Sequence, residues 1–211
     1  SKLAIALAEK REAGAKSLKA GVEKELKELH MNGVRFGVQF SYPQDPEGFV
    51  EYRKEKLKPT PLGLGTLEFL FSPNPGEDLR PLAKIASGGE LSRIMLALKS
   101  ILNEQDTIPV MIFDEVDAGI GGRVAEKVGD KLKKVAETKQ VFCITHLPQI
   151  AGMASSHYRV EKHVQGKRTR SGIRQLEFEE RVEEVARMSS GEKITDASLK
   201  HARELILGAG L

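Results

Sequence analysis

The residues able to do chemistry lie between Ser87 and His146, in three short pieces: Ser87-Gly88-Gly89-Glu90-Leu91-Ser92-Arg93, Val110-Met111-Ile112-Phe113-Asp114-Glu115 and Val141-Phe142-Cys143-Ile144-Thr145-His146. Ser87 and Glu90 fit the S-x-x-E pattern that caps the free N–H groups of a helix start. Two glycines in the cap let a ligand approach the backbone, and a helix N-terminus attracts anions. This piece suits a phosphate, although an ordinary capped helix carries the same residues. Asp114 and Glu115 follow an apolar run at the strand end where open α/β sheets place ligands. Neighbours on a strand point to opposite faces, so the two carboxylates suit two jobs: one holds a metal ion, directly or through water, and the other polarises a water. Their blander role, marking a strand end at the surface, fits poorly with Val116 and the Asp117-Ala118-Gly119 turn that follow. His146 closes a second apolar run and is a candidate phosphate contact, where a lone histidine is more often structural.

These groups need elements to hold them. Leu91, Ile94, Met95, Leu98, Ile101 and Leu102 recur at helical spacing after the Gly-Gly turn. Val110 to Phe113 reads as a fully buried strand of a parallel sheet, and Val141 to Ile144 as another. A helix at about 123–137, with Val124, Val128, Leu132 and Val135 on one face, connects them. Leu147-Pro148-Gln149 starts a short helix with proline in its first turn. Upstream, residues 1 to about 30 form a charged amphipathic helix, better packed from Leu18 to Leu29 and ended by Asn32-Gly33. Val34, Phe36, Val38 and Phe40 alternate as a half-buried strand, and Leu67, Phe69 and Phe71 as its antiparallel partner. The proline-rich stretch 43–62 between them reads as a long surface loop. Downstream, 157–164 and 173–177 read as strands around a basic turn at 165–171, followed by helices near 179–188 and 195–207 with Thr195 as a cap. Lys162, Lys167, Arg168, Arg170 and Arg174 can meet a DNA backbone, or form a solvated hairpin tip; no aromatic residue lies in the turn to stack bases.

Ser87-Gly88-Gly89-Glu90, then Asp114-Glu115, Asp117 and His146 resemble the signature motif, Walker B, D-loop and switch histidine of ABC-type ATPases. The Ser-Gly-Gly-Glu form resembles the SMC-like branch. The flanking residues Asn74 to Glu77, Leu82 to Lys99 and Thr145 to Ala151 resemble its bacterial DNA-repair members, with another SMC-like ATPase as the second choice. The resemblance implies an α/β fold, the C-terminal lobe of an ABC/SMC-type P-loop ATPase head. Residues 1–30 would be the returning helix of a coiled coil and 31–211 the head lobe. It implies ATP and Mg²⁺ as cofactors. Ser87, Gly88, Gly89 and Glu90 would meet the nucleotide of a partner head, Asp114 would hold Mg²⁺, Glu115 would orient the attacking water, His146 would touch the γ-phosphate, and Asp117 would cross the dimer interface.

No G-x-x-x-x-G-K-[ST] occurs; Gly14-Ala15-Lys16-Ser17 lacks the earlier glycine. The family supplies that P-loop from an N-terminal lobe, which is an expected partner together with a second head and DNA, double-stranded or its ends. The absence of an initial Met agrees with a piece of a longer protein, inactive by itself. The alternatives are a non-catalytic dimerisation module and an unrelated hydrolase, the latter without a nucleophile motif such as G-x-S-x-G. The 211 residues carry a net charge of only +3, which neither demands nor excludes nucleic acid. One cysteine, Cys143, rules out a disulfide framework and fits a reducing cytoplasm, and the resemblance implies a place near the nucleoid. No apolar run is long enough to cross a membrane.

Overall fold

A computed structural model describes residues 1–84, 87–165, 168–191 and 193–208. The chain divides into two compact units, Ser1–Ile101 and Leu102–Leu211.

The first unit begins with helix α1 (Lys2–Glu28). Val22, Leu26 and Leu29 are fully buried, whereas Leu3 near the start is exposed, so the packed end is the one the leucine spacing indicates. The stop differs from the expected Asn32-Gly33. His30 turns left-handed at φ 55°, Met31 N–H donates to the Leu26 carbonyl at 2.9 Å, and His30 N–H donates to the Lys27 carbonyl at 3.1 Å. This is a Schellman closure with histidine where glycine is usual. Gly33 serves a different purpose: at φ +92°, a Cβ there would lie 2.5 Å from Pro75 Cγ.

Strands β1 (Arg35–Ser41) and β4 (Thr66–Ser72) pair antiparallel as the alternation indicates, with Phe36 opposite Phe71, and β5 (Arg80–Pro81) adds to β4. Phe36 meets Phe71 at 4.9 Å and Phe69 at 5.5 Å between ring centroids, a tilted aromatic group at the base of the sheet. The expected surface loop at 43–62 is instead built around a hairpin, β2 (Val50–Tyr52) and β3 (Glu55–Leu57). Its strands are only three residues each, too short to register as a pattern. Val50, Tyr52 and Leu57 nonetheless pack with Ala8 and Leu64 in a core of their own. Arg53 and Lys54 at its tip both have positive φ, as a type I′ turn requires. Glu12 of α1 holds this arm: it accepts from Tyr42 Oη at 2.8 Å and from Arg53 Nη2 at 2.5 Å. Burial first, and then the Glu12 carboxylate, push the Tyr42 phenol well above its ordinary range. After a 3₁₀ turn (Leu82–Lys84), helix α2 runs Gly88–Leu102 with Ile94, Leu96, Ala97 and Leu98 buried.

In the second unit, β6 (Val110–Phe113), α3 (Gly122–Ala136) and β7 (Gln140–Cys143) make a βαβ step, with β6 and β7 parallel and Phe113 opposite Cys143. Ala125, Val128, Leu132 and Val135 are the buried stripe of α3, one residue off the expected Val124. The strand β6 is not fully buried. Met111 and Phe113 face inward, while Val110 and Ile112 face out, Ile112 with 70% of its surface exposed; Phe142 and Ile144 are exposed as well. Short helix α4 (Pro148–Gly152) has Pro148 in its first turn. The ribbon β8 (Tyr158–Gln165) and β9 (Arg168–Gln175) pairs residue for residue, so both strands reach further toward the tip than the expected turn at 165–171. Helices α5 (Phe178–Ser190) and α6 (Asp196–Gly208) enclose a core of Ala151, Val182, Val185, Ala186, Ala202 and Ile206. Glu177 and Glu180 form a reciprocal capping box on α5, and Thr195 caps α6, its Oγ1 accepting from Ser198 N–H at 3.2 Å. Among the described residues, no helix is long and apolar enough to cross a membrane.

Substituting His30→Gly removes a left-handed strain of roughly 1 kcal/mol. The melting midpoint is expected to rise by about 2–4 °C; an unchanged or lower midpoint by calorimetry would contradict the role given to His30.

Candidate functional site

In the first unit the candidate residues sit at the start of α2. Ser87 precedes the helix, and its Oγ accepts a long hydrogen bond of 3.4 Å from Glu90 N–H while its carbonyl takes Leu91 N–H at 3.0 Å. Ser87 and Gly88 are exposed, Glu90 is half-buried and Gly89 is buried. The helix thus starts at the surface on a residue without a side chain, its dipole adding to the anion preference of the open N–H groups. Ile85 and Ala86 lie outside the described residues.

In the second unit, taken by itself, the candidate residues sit at the C-terminal ends of β6 and β7. Ile144 N–H donates to the Phe113 carbonyl at 2.9 Å, which keeps the two chain exits side by side beyond the last strand residues. The strand β6 stops at Phe113. Asp114 Oδ1 accepts from Glu115 N–H at 2.9 Å, and Glu115 has φ +56°. The expected opposition of Asp114 and Glu115 on two strand faces therefore does not apply: they stand on a tight turn closed by Ala118 N–H on the Glu115 carbonyl at 3.0 Å. Both are exposed. A non-glycine residue held left-handed is strained, and such strain gathers at functional positions.

Asp117 is 3% exposed and turned into its own unit. One oxygen, Oδ2, accepts from Thr145 Oγ1 at 2.6 Å and His146 N–H at 2.9 Å, and lies 3.0 Å from His146 Nδ1. The His146 side chain is 72% exposed, so its other ring edge is open. The Asp117–Thr145–His146 link spans 28 residues and has no local pattern; the readable signal was only that Thr145-His146 ends a strand. Burial, with Asp117 and then Asp114 adding negative charge, pushes the Cys143 thiol up to about 12, so Cys143 is an un-ionised filler beneath the site.

The basic residues of the β8–β9 ribbon are partly neutralised. Arg174 Nη1 meets Glu180 at 2.5 Å, and Arg159 meets Glu161 at 3.3 Å and Glu184 at 3.4 Å. Lys162 and Arg170 are exposed; Lys167 and the Arg168 side chain lie outside the described residues.

No protein-family model matches the chain. Among solved structures, the Smc head domain with a coiled coil and joint from Pyrococcus yayanosii aligns with a TM-score of 0.53 and 19% identity, covering 87% of this chain and 30% of that one. The fold is that of an Smc head domain, α/β with a leading helix. The sequence is more particular. The DNA repair protein RecN of Treponema pallidum is 45% identical over 95% of the chain, and RecN of Halalkalibacterium halodurans 42% identical over 91%. The chain corresponds to the C-terminal part of RecN. It spans about a third of the length of these relatives, 34% and 32%.

If Glu115 is retained for its carboxylate despite the backbone, Glu115→Gly should stabilise the fold by about 1 kcal/mol in urea unfolding. A destabilised variant would show that the turn does not strain this residue.

Proposed function

We propose that this chain is the C-terminal half of an SMC-like ATPase head acting in DNA double-strand break repair and recombination, and that it completes ATP sites only together with an N-terminal P-loop lobe and a second head. The observation that carries this is the joint end of β6 and β7, where an exposed carboxylate pair follows one strand and an exposed histidine follows the other. Similarity to RecN, a DNA repair protein, supports the biological setting, the cytoplasm and the nucleoid. The outward face of Val110, Ile112, Phe142 and Ile144 supports a second lobe, since parallel sheets are ordinarily covered on both faces. Residues 1–30 are proposed as the returning coiled-coil helix and 31–211 as the head lobe.

ATP with Mg²⁺ supplies the transferable γ-phosphoryl group and the charge that holds it. The donor set fits such an ion: Mg²⁺ takes one or two carboxylates and completes its shell with water and phosphate oxygens, and Asp114 is one exposed carboxylate at the strand end. Glu115 orients and polarises the attacking water. His146 reaches the γ-phosphate bound on its own head. Ser87, Gly88 and Gly89 present the α2 N-terminus to nucleotide held by the opposite head, with Glu90 behind them in the cap. Phosphoryl transfer depends mostly on positioning and electrostatics, so dividing these groups between heads makes closure the switch. DNA, double-stranded or its ends, is the proposed substrate of the assembled protein. The second reading, a non-catalytic dimerisation module, is favoured by the ion pairs of Arg159 and Arg174, which partly balance the positive charge of the ribbon.

The test is ATP turnover by this chain with and without a separately expressed N-terminal lobe. Turnover is expected only in the mixture. There, Glu115→Gln should still bind ATP while kcat falls by about 10²-fold or more. Turnover by the chain alone, lost in Glu115→Gln, would overturn the split-head reading; none in the mixture would leave the dimerisation module.

A further inference from the structure

Among the described residues, Asp117 is the one carboxylate at the site that is buried, and its polar contacts lie within its own unit. A carboxylate so placed is turned toward the loop after β7 and away from solvent. It does bear on His146 twice, once through the backbone N–H at 2.9 Å and once at Nδ1, 3.0 Å away. Thr145 Oγ1, bonded to the same oxygen at 2.6 Å, in turn accepts Leu147 N–H at 3.0 Å, which fixes the chain on either side of the histidine. A buried carboxylate is tolerated when several donors satisfy it, and here a hydroxyl and an amide do so, with the ring nitrogen beside them.

We propose that Asp117 is a positioning residue for His146, holding a proton on Nδ1 and aiming the exposed Nε2 edge outward. The proposal rests on the reading of His146 as a γ-phosphate contact. Which nitrogen of an imidazole carries the proton is set by the partner of the other nitrogen. A contact from Nε2 to a phosphate oxygen needs a hydrogen on that nitrogen as well, a proton taken from solvent, while Nδ1 keeps its own toward Asp117. Without Asp117 the ring is free to swing, and its neutral form returns to the Nε2–H tautomer usual for imidazole in water.

The first arm is nitrogen NMR on the nucleotide-free chain, with ¹⁵N-labelled histidine, above the pH at which histidines lose their charge. His146 is identified by the signals missing from His146→Gln. The expected result is a protonated Nδ1 as the main form in the unaltered chain, shifting toward protonated Nε2 in Asp117→Ala. Should Ala collapse the turn, Asp117→Asn keeps the volume with a weaker acceptor and should shift the ratio in the same direction. A main Nε2–H form in the unaltered chain, or an unchanged ratio in Asp117→Asn, overturns the proposal. The second arm is turnover in the mixture with the N-terminal lobe. Asp117→Ala should lower kcat roughly tenfold or more, with KM for ATP within about twofold. In a His146→Gln background the same change should add no further loss; a full additional loss overturns action through His146. Absent turnover in the mixture defeats the proposed function alone, since the tautomer measurement still decides the role of Asp117.

Discussion

The second unit depends on one oxygen. Asp117 Oδ2 gathers a hydroxyl and an amide from the segment after β7, and has a ring nitrogen beside it, from a position just after β6. Parallel strands share no hairpin turn, so their ends are registered only by the ladder and by whatever bridges the loops beyond it. Here the ladder ends with Ile144 N–H on Phe113 O, and the carboxylate continues the connection into the turns. The chain in between, including α3, is thereby closed at the end that carries the polar groups.

The consequences run outward from that contact. With Val116 fully buried and Asp117 nearly so, the chain between Phe113 and Val116 must turn within two residues. Asp114 accepts the Glu115 amide and Glu115 takes the left-handed conformation. The exposed carboxylates are thus displayed by the burial of their successors. In the first unit the same division holds at α2: Gly89 goes inside and Ser87 and Gly88 stay out, so the helix start is offered to solvent while Ile94 and Leu98 anchor the helix.

Much of this was legible in the sequence because it is local. The helix after Ser87, the β1–β4 pairing, the βαβ step and the terminal helices follow from spacing and caps, which act over three or four residues. The mismatches share a cause as well. Strand β6 has four apolar residues in a row, and periodicity cannot distinguish a strand covered on both faces from one whose outer apolar face is open. The hairpin at 50–57 has strands too short to show alternation, and its stability comes from α1, some forty residues earlier. His30 ends α1 by hydrogen bonding, where glycine at position 33 attracts the eye and instead makes room for Pro75. The bearing of Asp117 on His146 is purely tertiary, and sequence spacing alone leaves its carboxylate free to point anywhere.

Two carboxylates of helix α1 help fasten it to its unit. Glu12 holds Tyr42 and Arg53, and Glu23 accepts the Phe36 amide at 3.1 Å where β1 begins. These points are about 16 Å apart along the axis. A rod pinned twice has lost both its swivel and its slide: it can tip only by carrying the β2–β3 arm and the head of β1 with it. Any pull or twist applied beyond Ser1 would therefore arrive in this unit as a coordinated displacement of the arm and the sheet, and any rearrangement of the sheet would be read out, magnified by length, at the far end of the rod.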